Sequence, residues 1–238
     1  MDITSKSIVG QVVASDYRTA AVFHRNGIDF CCNGNRSIEE ACGANALNAS
    51  DLMAQLQAIE AKGGDKGMDF QSWPSDLLID YIEKRHHRYV TEKIPELLAF
   101  LEKLVRVHGP KHPELLEIGQ EFSAAASELS MHLQKEERIL FPFIRRMAEG
   151  ASIEQAPFGS VENPIAMMHH EHDVEGARFR RIAALSNNYT PPEDACNTYR
   201  VTYAMLQEFE ADLHRHIHLE NNILFPKALK MEQSALAH

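Results

Sequence analysis

The spacing of hydrophobic and polar positions divides the chain into a region of short helices and a region of four long ones. From residue 76 onward, apolar side chains recur at the i, i+3, i+4 spacing of a single helix face, as at Leu77, Leu78, Tyr81 and Ile82. No alternating pattern typical of strands competes with it, so the fold class is all-α. Four long helices with short connections are typical of an up-down four-helix bundle. The predicted helices span residues 76–107, 112–148, 161–186 and 193–230.

The first 62 residues show shorter apolar runs, which predict a small helical N-terminal domain. Asp16, Ser37 and Ser50 stand where helix N-caps are expected, and Gly27 stands where a helix would end. A Gly-rich stretch then breaks all periodicity, so it is interpreted as a linker. The predicted organisation is a small helical domain (1–62), a linker (63–75) and a bundle (76–238).

Composition excludes several classes of function. The chain has 238 residues, of which 44% are hydrophobic and 24% charged, as in soluble globular proteins. Its net charge of −10 argues against nucleic-acid binding, which needs a basic face. The sequence has neither an apolar run long enough to span a membrane nor the features of a secretory signal. Four cysteines do not resemble an extracellular disulfide framework, so a cytoplasmic location is expected.

An internal repeat changes this general picture. Residues 128–142 read ELSMHLQKEERILFP and residues 212–226 read DLHRHIHLENNILFP, which share acid-Leu-x-x-His-x-x-x-Glu-x-x-Ile-Leu-Phe-Pro. The preceding helices each add one histidine at a matching offset, His87 and His172. The bundle is therefore predicted to consist of two related helical hairpins. Each hairpin supplies one single histidine and one His-x-x-x-Glu pair.

This repeat has the chemistry of a metal centre. Residues at i and i+4 share one helix face, so each His-x-x-x-Glu pair can place two ligands side by side. Burying two carboxylates would be costly without a counter-charge, which a metal supplies. Imidazole and carboxylate ligands suit iron, manganese or zinc, and carboxylate-bridged bundles hold two ions. The predicted metal ligands are His87, His132, Glu136, His172, His216 and Glu220.

Residues around the predicted ligands are expected to orient the imidazoles. Glu128 and Asp212 lie one turn before the histidines of the repeat, and Glu171 directly precedes the third-helix histidine. A shift of helical register would substitute His86 for His87, or His169 for His172. The apolar residues Ile139-Leu140-Phe141 and Ile223-Leu224-Phe225 are expected to wall one side of the centre. The remaining histidines are expected to face solvent: His24, His108, His112, His214, His218 and His238.

These motifs resemble the hemerythrin-like superfamily and, more closely, the "repair of iron centres" di-iron proteins of bacteria. The matching segments are RHHRYVTEKIPEL, MHLQKEERILFP, MMHHEHDVEG and HRHIHLENNILFP, and the N-terminal DFCCNG is similar to a cysteine-containing domain of those proteins. The resemblance implies a cofactor of two non-haem iron ions, oxo-bridged and also bridged by Glu136 and Glu220. It also implies a cytoplasmic protein induced by nitrosative and oxidative stress.

The resemblance leaves three hypotheses for function. The protein would deliver iron to damaged iron-sulfur proteins, or bind nitric oxide as a scavenger or regulatory protein, or reduce nitric oxide as an enzyme. No flavin or nucleotide fingerprint is present to supply electrons, which favours the first two. Four histidine ligands instead of the five of oxygen-carrying hemerythrins argue against reversible oxygen carriage.

The vicinal pair Cys31-Cys32 is the other candidate for chemistry. Its position between an aromatic residue and Asn-Gly predicts a tight, exposed turn. The pair would either perform thiol redox chemistry, or contact an iron-accepting partner, or be inert. The oligomeric state stays open, with a homodimer among the alternatives.

Overall fold

The computed structural model of the protein describes residues 3–61, 68–150 and 158–236, and within them the all-α class is confirmed. Three of the long helices contain a π-helical turn, in which the hydrogen bonds span one residue more than in an α-helix. The α-helical segments are α1 (Val9–Ser15), α2 (Ala20–Arg25), α3 (Ile38–Ala44), α4 (Ala49–Ala61), α5 (Ser75–Tyr81), α6 (Arg88–His108), α7 (Glu114–Lys135), α8 (Phe141–Ala148), α9 (Glu162–Leu185), α10 (Asn197–Leu219) and α11 (Phe225–Leu236).

The four bundle helices are composed of these segments. The first is α5 and α6 joined by a π turn over Ile82–His87, and the third is α9 alone. The second joins α7 to α8 through a π turn over Glu136–Leu140, and the fourth joins α10 to α11 through a π turn over Glu220–Leu224. Helix α6 packs against α7 and α10, while α9 packs against α7 and α10 from the opposite corner. The result is the up-down bundle that the sequence predicted.

The π turns of the repeat explain how two prolines fit inside long helices. A proline cannot donate the i→i−4 hydrogen bond, but it is tolerated in the first turn of an α-helix. Each π turn ends immediately before a new α-helical segment, in which Pro142 or Pro226 is the second residue. The second and fourth helices therefore continue beyond their prolines, to Ala148 and Leu236.

Within residues 3–61, the N-terminal domain consists of four helices and one 3₁₀ turn, Tyr17–Thr19. The sequence did not predict α1, which buries Val9, Val12 and Val13. Ser37 caps α3, as the sequence predicted. The Ser37 hydroxyl accepts a hydrogen bond from the backbone N–H of Glu40, and the Glu40 carboxylate accepts one from the backbone N–H of Ser37. Ser50 does not cap α4, because the helix begins before it and the side chain of Asn48 accepts the Ser50 N–H.

The hydrophobic core forms two clusters along the bundle. The first cluster joins the N-terminal domain to α6, α7, α9 and α10 and includes Leu133 and Ile217. The second joins α5, α8, α11 and the start of α9 and includes Leu140 and Leu224. Glu136 lies between Leu133 and Leu140 in sequence, and Glu220 lies between Ile217 and Leu224. The two glutamates therefore lie between the two clusters in space. The predicted metal centre is therefore enclosed by apolar packing at both ends.

The predicted linker, residues 63–75, lies partly outside the described residues. Its described part, from Met68, is packed against the bundle. Phe70 is buried in the second cluster, with its ring 4.8 Å from that of Trp73 and 5.0 Å from that of Tyr81. The bundle therefore begins structurally before its first helix.

Candidate metal centre

The structure brings the six predicted ligands together at one level of the bundle. None of their side chains is more than 5% exposed, and both glutamates are fully buried. Glu136 and Glu220 are each the first residue of a π turn, and His87 is the last residue of another. π turns are frequent at functional sites. These turns direct three of the six side chains, which are His87, Glu136 and Glu220.

The ligand atoms form two sets that share both glutamates. One set contains His87 and His216, the other contains His132 and His172, and each includes Glu136 and Glu220. Within each set, all four ligand atoms lie within 4.8 Å of one another. This is the arrangement in which two carboxylates can bridge two cations.

Distances within the sets are short and nearly symmetric. The Nε2 atoms of His87 and His216 are 3.1 Å apart, as are those of His132 and His172. The carboxylate of Glu220 places Oε1 2.9 Å from His216 Nε2 and Oε2 3.3 Å from His172 Nε2. Four imidazole Nε2 atoms therefore converge on two carboxylates, with one pair of imidazoles on each side.

Hydrogen bonds at the opposite ring nitrogen hold three of the four imidazoles. The Nδ1 of His87 lies 2.9 Å from Glu137 Oε1, and that of His172 lies 2.9 Å from Asn221 Oδ1. The third, His132 Nδ1, lies 2.8 Å from Glu171 Oε2. An imidazole that donates from Nδ1 to such an acceptor keeps the Nε2 lone pair free for a metal.

Sequence reasoning missed two of these three acceptors. Glu137 and Asn221 each directly follow a glutamate of the repeat, and they occupy equivalent positions in its two copies. Each accepts a hydrogen bond from the single histidine of its own hairpin. The repeat therefore contained a signal for these acceptors: in both copies, the residue after the glutamate can accept a hydrogen bond.

The expected roles of Glu128 and Asp212 are wrong. Glu128 accepts a hydrogen bond from Arg178, at 3.0 Å, and not from His132. Asp212 lies 3.0 Å from Nδ1 of His86, which is buried beside the centre but belongs to neither ligand set. Each carboxylate bonds to a neighbouring helix instead: Glu128 of α7 to Arg178 of α9, and Asp212 of α10 to His86 of the first-helix π turn.

Electrostatics favour a cation at this place. Burial lowers the pKa of His132, but the charges of Glu136 and Glu220 and the hydrogen bonds to Glu136 and Glu171 together outweigh burial and raise that pKa to about 10. Burial raises the pKa of Glu220, but the charge of His216 and its hydrogen bonds hold that pKa well below its usual range. The buried carboxylates thus favour positive charge on their neighbours, and that positive charge in turn keeps the carboxylates ionised. A cation would therefore compete with protons for the imidazoles, so its binding should weaken as the pH falls.

One buried carboxyl outside the centre gives a test of stability. Burial raises the pKa of Glu210 to about 7, although Tyr189 and Arg180 act to lower it. Between pH 4.5 and 7 the folded state then holds a proton that the unfolded state has lost, so stability falls as the pH rises. We expect Glu210→Gln to raise the free energy of unfolding by about 1–3 kcal/mol at pH 8 and to change it little at pH 4, measured by denaturant titration.

The exposed residue Glu102 provides the matched control for that substitution. Glu102→Gln should leave the free energy of unfolding within about 0.5 kcal/mol of the parent protein at both pH values. If Glu210→Gln kept the full decline in stability between pH 4.5 and 7, the buried carboxyl would not be its source.

The loop that carries Cys31 and Cys32 is packed against the metal centre, so the predicted exposed turn is wrong. Cys31 is buried and Cys32 is half-buried, with their sulfur atoms 3.8 Å apart. The Cys32 thiol donates to the backbone carbonyl of His172 at 3.4 Å. The hydrogen bond to Cys32, together with burial, raises the pKa of the Cys31 thiol well above its usual value. Cys31 is therefore a protonated thiol at neutral pH.

Two asparagines of the fourth-helix π turn hold this loop, and one of them, Asn221, also contacts a ligand. Asn221 accepts the His172 Nδ1 hydrogen bond with its Oδ1 and donates from Nδ2 to the carbonyl of Cys31 at 3.2 Å. Asn222 lies 3.3 Å from the same carbonyl and reaches between Gly10 and Gly34. The N-terminal domain thus positions one side of the centre.

A cavity of about 290 Å³ opens beside the centre. It reaches three of the four ligand imidazoles. Its wall combines apolar side chains, such as Met131 and Leu213, with three carboxylates. The imidazoles and carboxylates that line it are His132, His172, His216, Glu128, Glu171 and Glu175.

Several other expectations are wrong. His218 is buried, packed between the rings of Tyr17 and Phe30, and burial lowers its pKa to about 3. His214 is half-buried against Phe30. The side chain of Ile139 is half exposed and does not wall the centre, whereas the other five apolar residues of the two triplets are buried. His238 lies outside the described residues.

Among residues 3–61, 68–150 and 158–236, every helix is too short or too polar to cross a lipid bilayer.

Two family models match the chain. The model of the hemerythrin HHE cation binding domain matches residues 78–228, which include all six predicted ligands. A domain of unknown function, DUF542, matches residues 5–60, which include Cys31 and Cys32. The two matches cover most of the chain.

Curated relatives match over almost the full length. A protein of Musicola paradisiaca (strain Ech703) is 38% identical over 233 residues, which are 98% of this chain and 100% of the relative. A protein of Yersinia pestis (strain Pestoides F) and one of Yersinia pseudotuberculosis serotype O:1b are each 39% identical with the same coverage. All three relatives bear the name iron-sulfur cluster repair protein YtfE.

Proposed function

The chain belongs to the hemerythrin HHE cation-binding family, and from this premise we propose that it is a di-iron protein that restores damaged iron-sulfur clusters. The observation that carries the proposal is the pairing of four imidazoles into two sets that share Glu136 and Glu220. The name of the relatives, which are similar along their whole length, supports the same function. The protein would act in the cytoplasm, on damaged iron-sulfur proteins.

The residues present fit two cations. Both carboxylate oxygens of Glu136, and Oε2 of Glu220, are buried without a hydrogen-bond partner among the described residues. Such atoms are costly to leave unsatisfied, and a cation would satisfy them. The paired nitrogen atoms, 3.1 Å apart in each set, are close enough for both to bind one ion at the usual distance of about 2.1 Å.

The roles of the six ligands follow from the two sets. One iron would be held by His87 and His216, the other by His132 and His172, with Glu136 and Glu220 shared and an oxo group as a further bridge. The irons would supply redox chemistry and open positions for a small ligand. Glu137, Glu171 and Asn221 keep three imidazoles in the tautomer that binds metal. The apolar clusters on both sides restrict the access of water.

Iron supply is the mode of repair that the ligand set favours. The centre offers each ion two imidazoles and shared carboxylates, with no thiolate that would hold iron more tightly. An ion bound in this way can be passed to a cluster site, whose cysteine thiolates are stronger ligands for iron. The cavity, which reaches His216 as well as His132 and His172, would be a path of adequate size.

Nitric oxide binding is a second candidate function, which the same cavity favours. Its volume of about 290 Å³ is ample for a diatomic molecule, and Met131 and Leu213 give it an apolar wall that suits an uncharged ligand. The protein would then scavenge nitric oxide or report its presence. Turnover to nitrous oxide would require an external reductant.

Metal analysis with Mössbauer spectroscopy tests both parts of the proposal. We expect two iron ions per chain, an absorption band from the oxidised pair, and binding of nitric oxide to the diferrous form only. Iron(II) donates electron density to nitric oxide, which iron(III) with anionic ligands does poorly. One zinc ion per chain and no iron would contradict the di-iron assignment.

Repair is tested separately, by recovery of an iron-sulfur dehydratase that nitric oxide has inactivated. The iron-loaded protein should restore its activity in anaerobic extract, whereas the protein stripped of iron should not. A protein that binds nitric oxide but restores nothing would leave scavenging as its function.

A further inference from the structure

The four ligand imidazoles are not held equally. Three have a side-chain acceptor at Nδ1: Glu137 for His87, Glu171 for His132 and Asn221 for His172. The fourth, His216, has its Nδ1 buried with no hydrogen-bond partner among the described residues. The two hairpins supply equivalent ligands, but the groups that orient those ligands are therefore not equivalent.

The residue responsible can be read from the repeat. Glu171 directly precedes His172, and it holds the histidine of the opposite hairpin, His132. The equivalent position, directly before His87, is occupied by His86. An imidazole therefore stands where the related half of the centre has a carboxylate acceptor.

His86 does not replace that acceptor. Its ring lies nearly parallel to that of His216, at an interplanar angle of 8° with centroids 5.7 Å apart, so the two rings stack. Nδ1 of His86 is engaged by Asp212 at 3.0 Å, and its Nε2 is buried without a partner among the described residues. Turning towards His216 would break the bond to Asp212.

The other half of the centre is held from both sides. Glu171 also receives an ion pair from Lys135, which fixes the carboxylate that orients His132. Asn221 is buried and is itself fixed by its hydrogen bond to the Cys31 carbonyl. Both imidazoles of this ligand set are thus held by acceptors that have a second anchor.

We infer that the two metal positions are unequal, and that the ion held by His87 and His216 is the exchangeable one because His86 leaves His216 without an acceptor. The inference rests on the proposed di-iron centre and names the ion that the protein would give up. Removing the outer hydrogen-bond partner of a ligand costs about 10–100-fold in metal affinity. The two ions should therefore differ in their rate of release by about tenfold or more.

Release of ferrous iron to an excess of a colorimetric chelator, under anaerobic conditions, tests the inference. We expect two phases of equal amplitude, one ion per chain in each. A crystal of partly depleted protein should show anomalous scattering from iron lost first at the position of His87 and His216. A single phase containing both ions, or loss first at the position of His132 and His172, would overturn the inference.

Two variants distinguish an effect of the missing His216 acceptor on iron release from a general loss of protein stability. His86→Gln places an amide oxygen at the position equivalent to Glu171, so it should slow the fast phase by about tenfold. Glu171→Ala removes the acceptor of His132, so it should accelerate the slow phase while leaving the fast one unchanged. An unchanged fast phase in His86→Gln, in a variant that binds two ions, would contradict the role of His86.

The inference and the proposed function can fail separately. Wild-type protein that binds fewer than two iron ions would overturn the di-iron assignment and the inference with it. Two bound ions that leave at one rate would overturn only the inequality of the two positions.

Discussion

Replacing Glu220 by alanine is expected to empty both metal positions at once. The side chain is fully buried, with Oε1 2.9 Å from His216 Nε2 in one ligand set and Oε2 3.3 Å from His172 Nε2 in the other. Its removal withdraws negative charge and a ligand atom from both ions. Because the loss of an outer hydrogen bond alone costs about 10–100-fold in affinity, losing a shared ligand should cost more than about 100-fold. Iron content per chain after gel filtration is the measurement.

Glu137→Gln provides the matched control for that experiment. Glu137 occupies a neighbouring place on the second-helix π turn, and glutamine keeps an oxygen that can accept the His87 Nδ1 hydrogen bond. This variant should retain both ions. If Glu220→Ala retained one ion with unchanged affinity, the carboxylate would belong to a single metal position and would not be a bridge.

Replacing Gly10 by alanine is expected to loosen the N-terminal domain from the bundle. A Cβ atom there would lie 2.1 Å from Asn222 Oδ1 and 3.1 Å from the carbonyl of Gly34. Asn222 cannot move freely, because its Nδ2 lies within hydrogen-bonding distance of the Phe30 and Cys31 carbonyls. Overpacking of this kind typically costs about 1–3 kcal/mol. Thermal unfolding should show a lower Tm.

Gly43 offers the opposite case within the same domain. It lies in α3, and a methyl group added to its Cα would have no neighbouring atom within 4 Å. Gly43→Ala should therefore stabilise the helix by about 0.5–1 kcal/mol. The two substitutions add the same methyl group and should shift the Tm in opposite directions. Equal shifts would show that the contact of Gly10 with Asn222 does not hold the domains together.

Much of the fold and of the candidate site could be predicted from sequence because both depend on local periodicity. The 3.6-residue spacing of apolar positions predicted the long helices, whose observed ends lie within six residues of the predicted boundaries. The repeat at 128–142 and 212–226 singled out the histidines and glutamates that the structure brings together. An i, i+4 pair needs no tertiary information to be recognised.

The features that sequence did not reveal depend on contacts between distant segments. His218 is buried only because Tyr17 and Phe30 of the N-terminal domain cover it. Cys31 is buried for the same reason, since its loop docks on the π turn that contains Asn221. The acceptors of the imidazoles required knowing which helix faces which, and periodicity along one helix does not contain that information.

The π turns also determine how the two ends of each helix are rotated about the common axis. Each turn accommodates one residue more than α-helical geometry would, and one residue corresponds to about 100° of rotation. If Glu136–Leu140 were α-helical with no residue removed, the C-terminal end of the helix would therefore be rotated by about 100° from its present orientation. Phe141 and Ile144 would turn away from the second apolar cluster, which they now help to form. The insertion thus sets the helical phase of the far end of the bundle as well as the aim of a ligand, so the ligand geometry and the packing beyond it cannot vary independently.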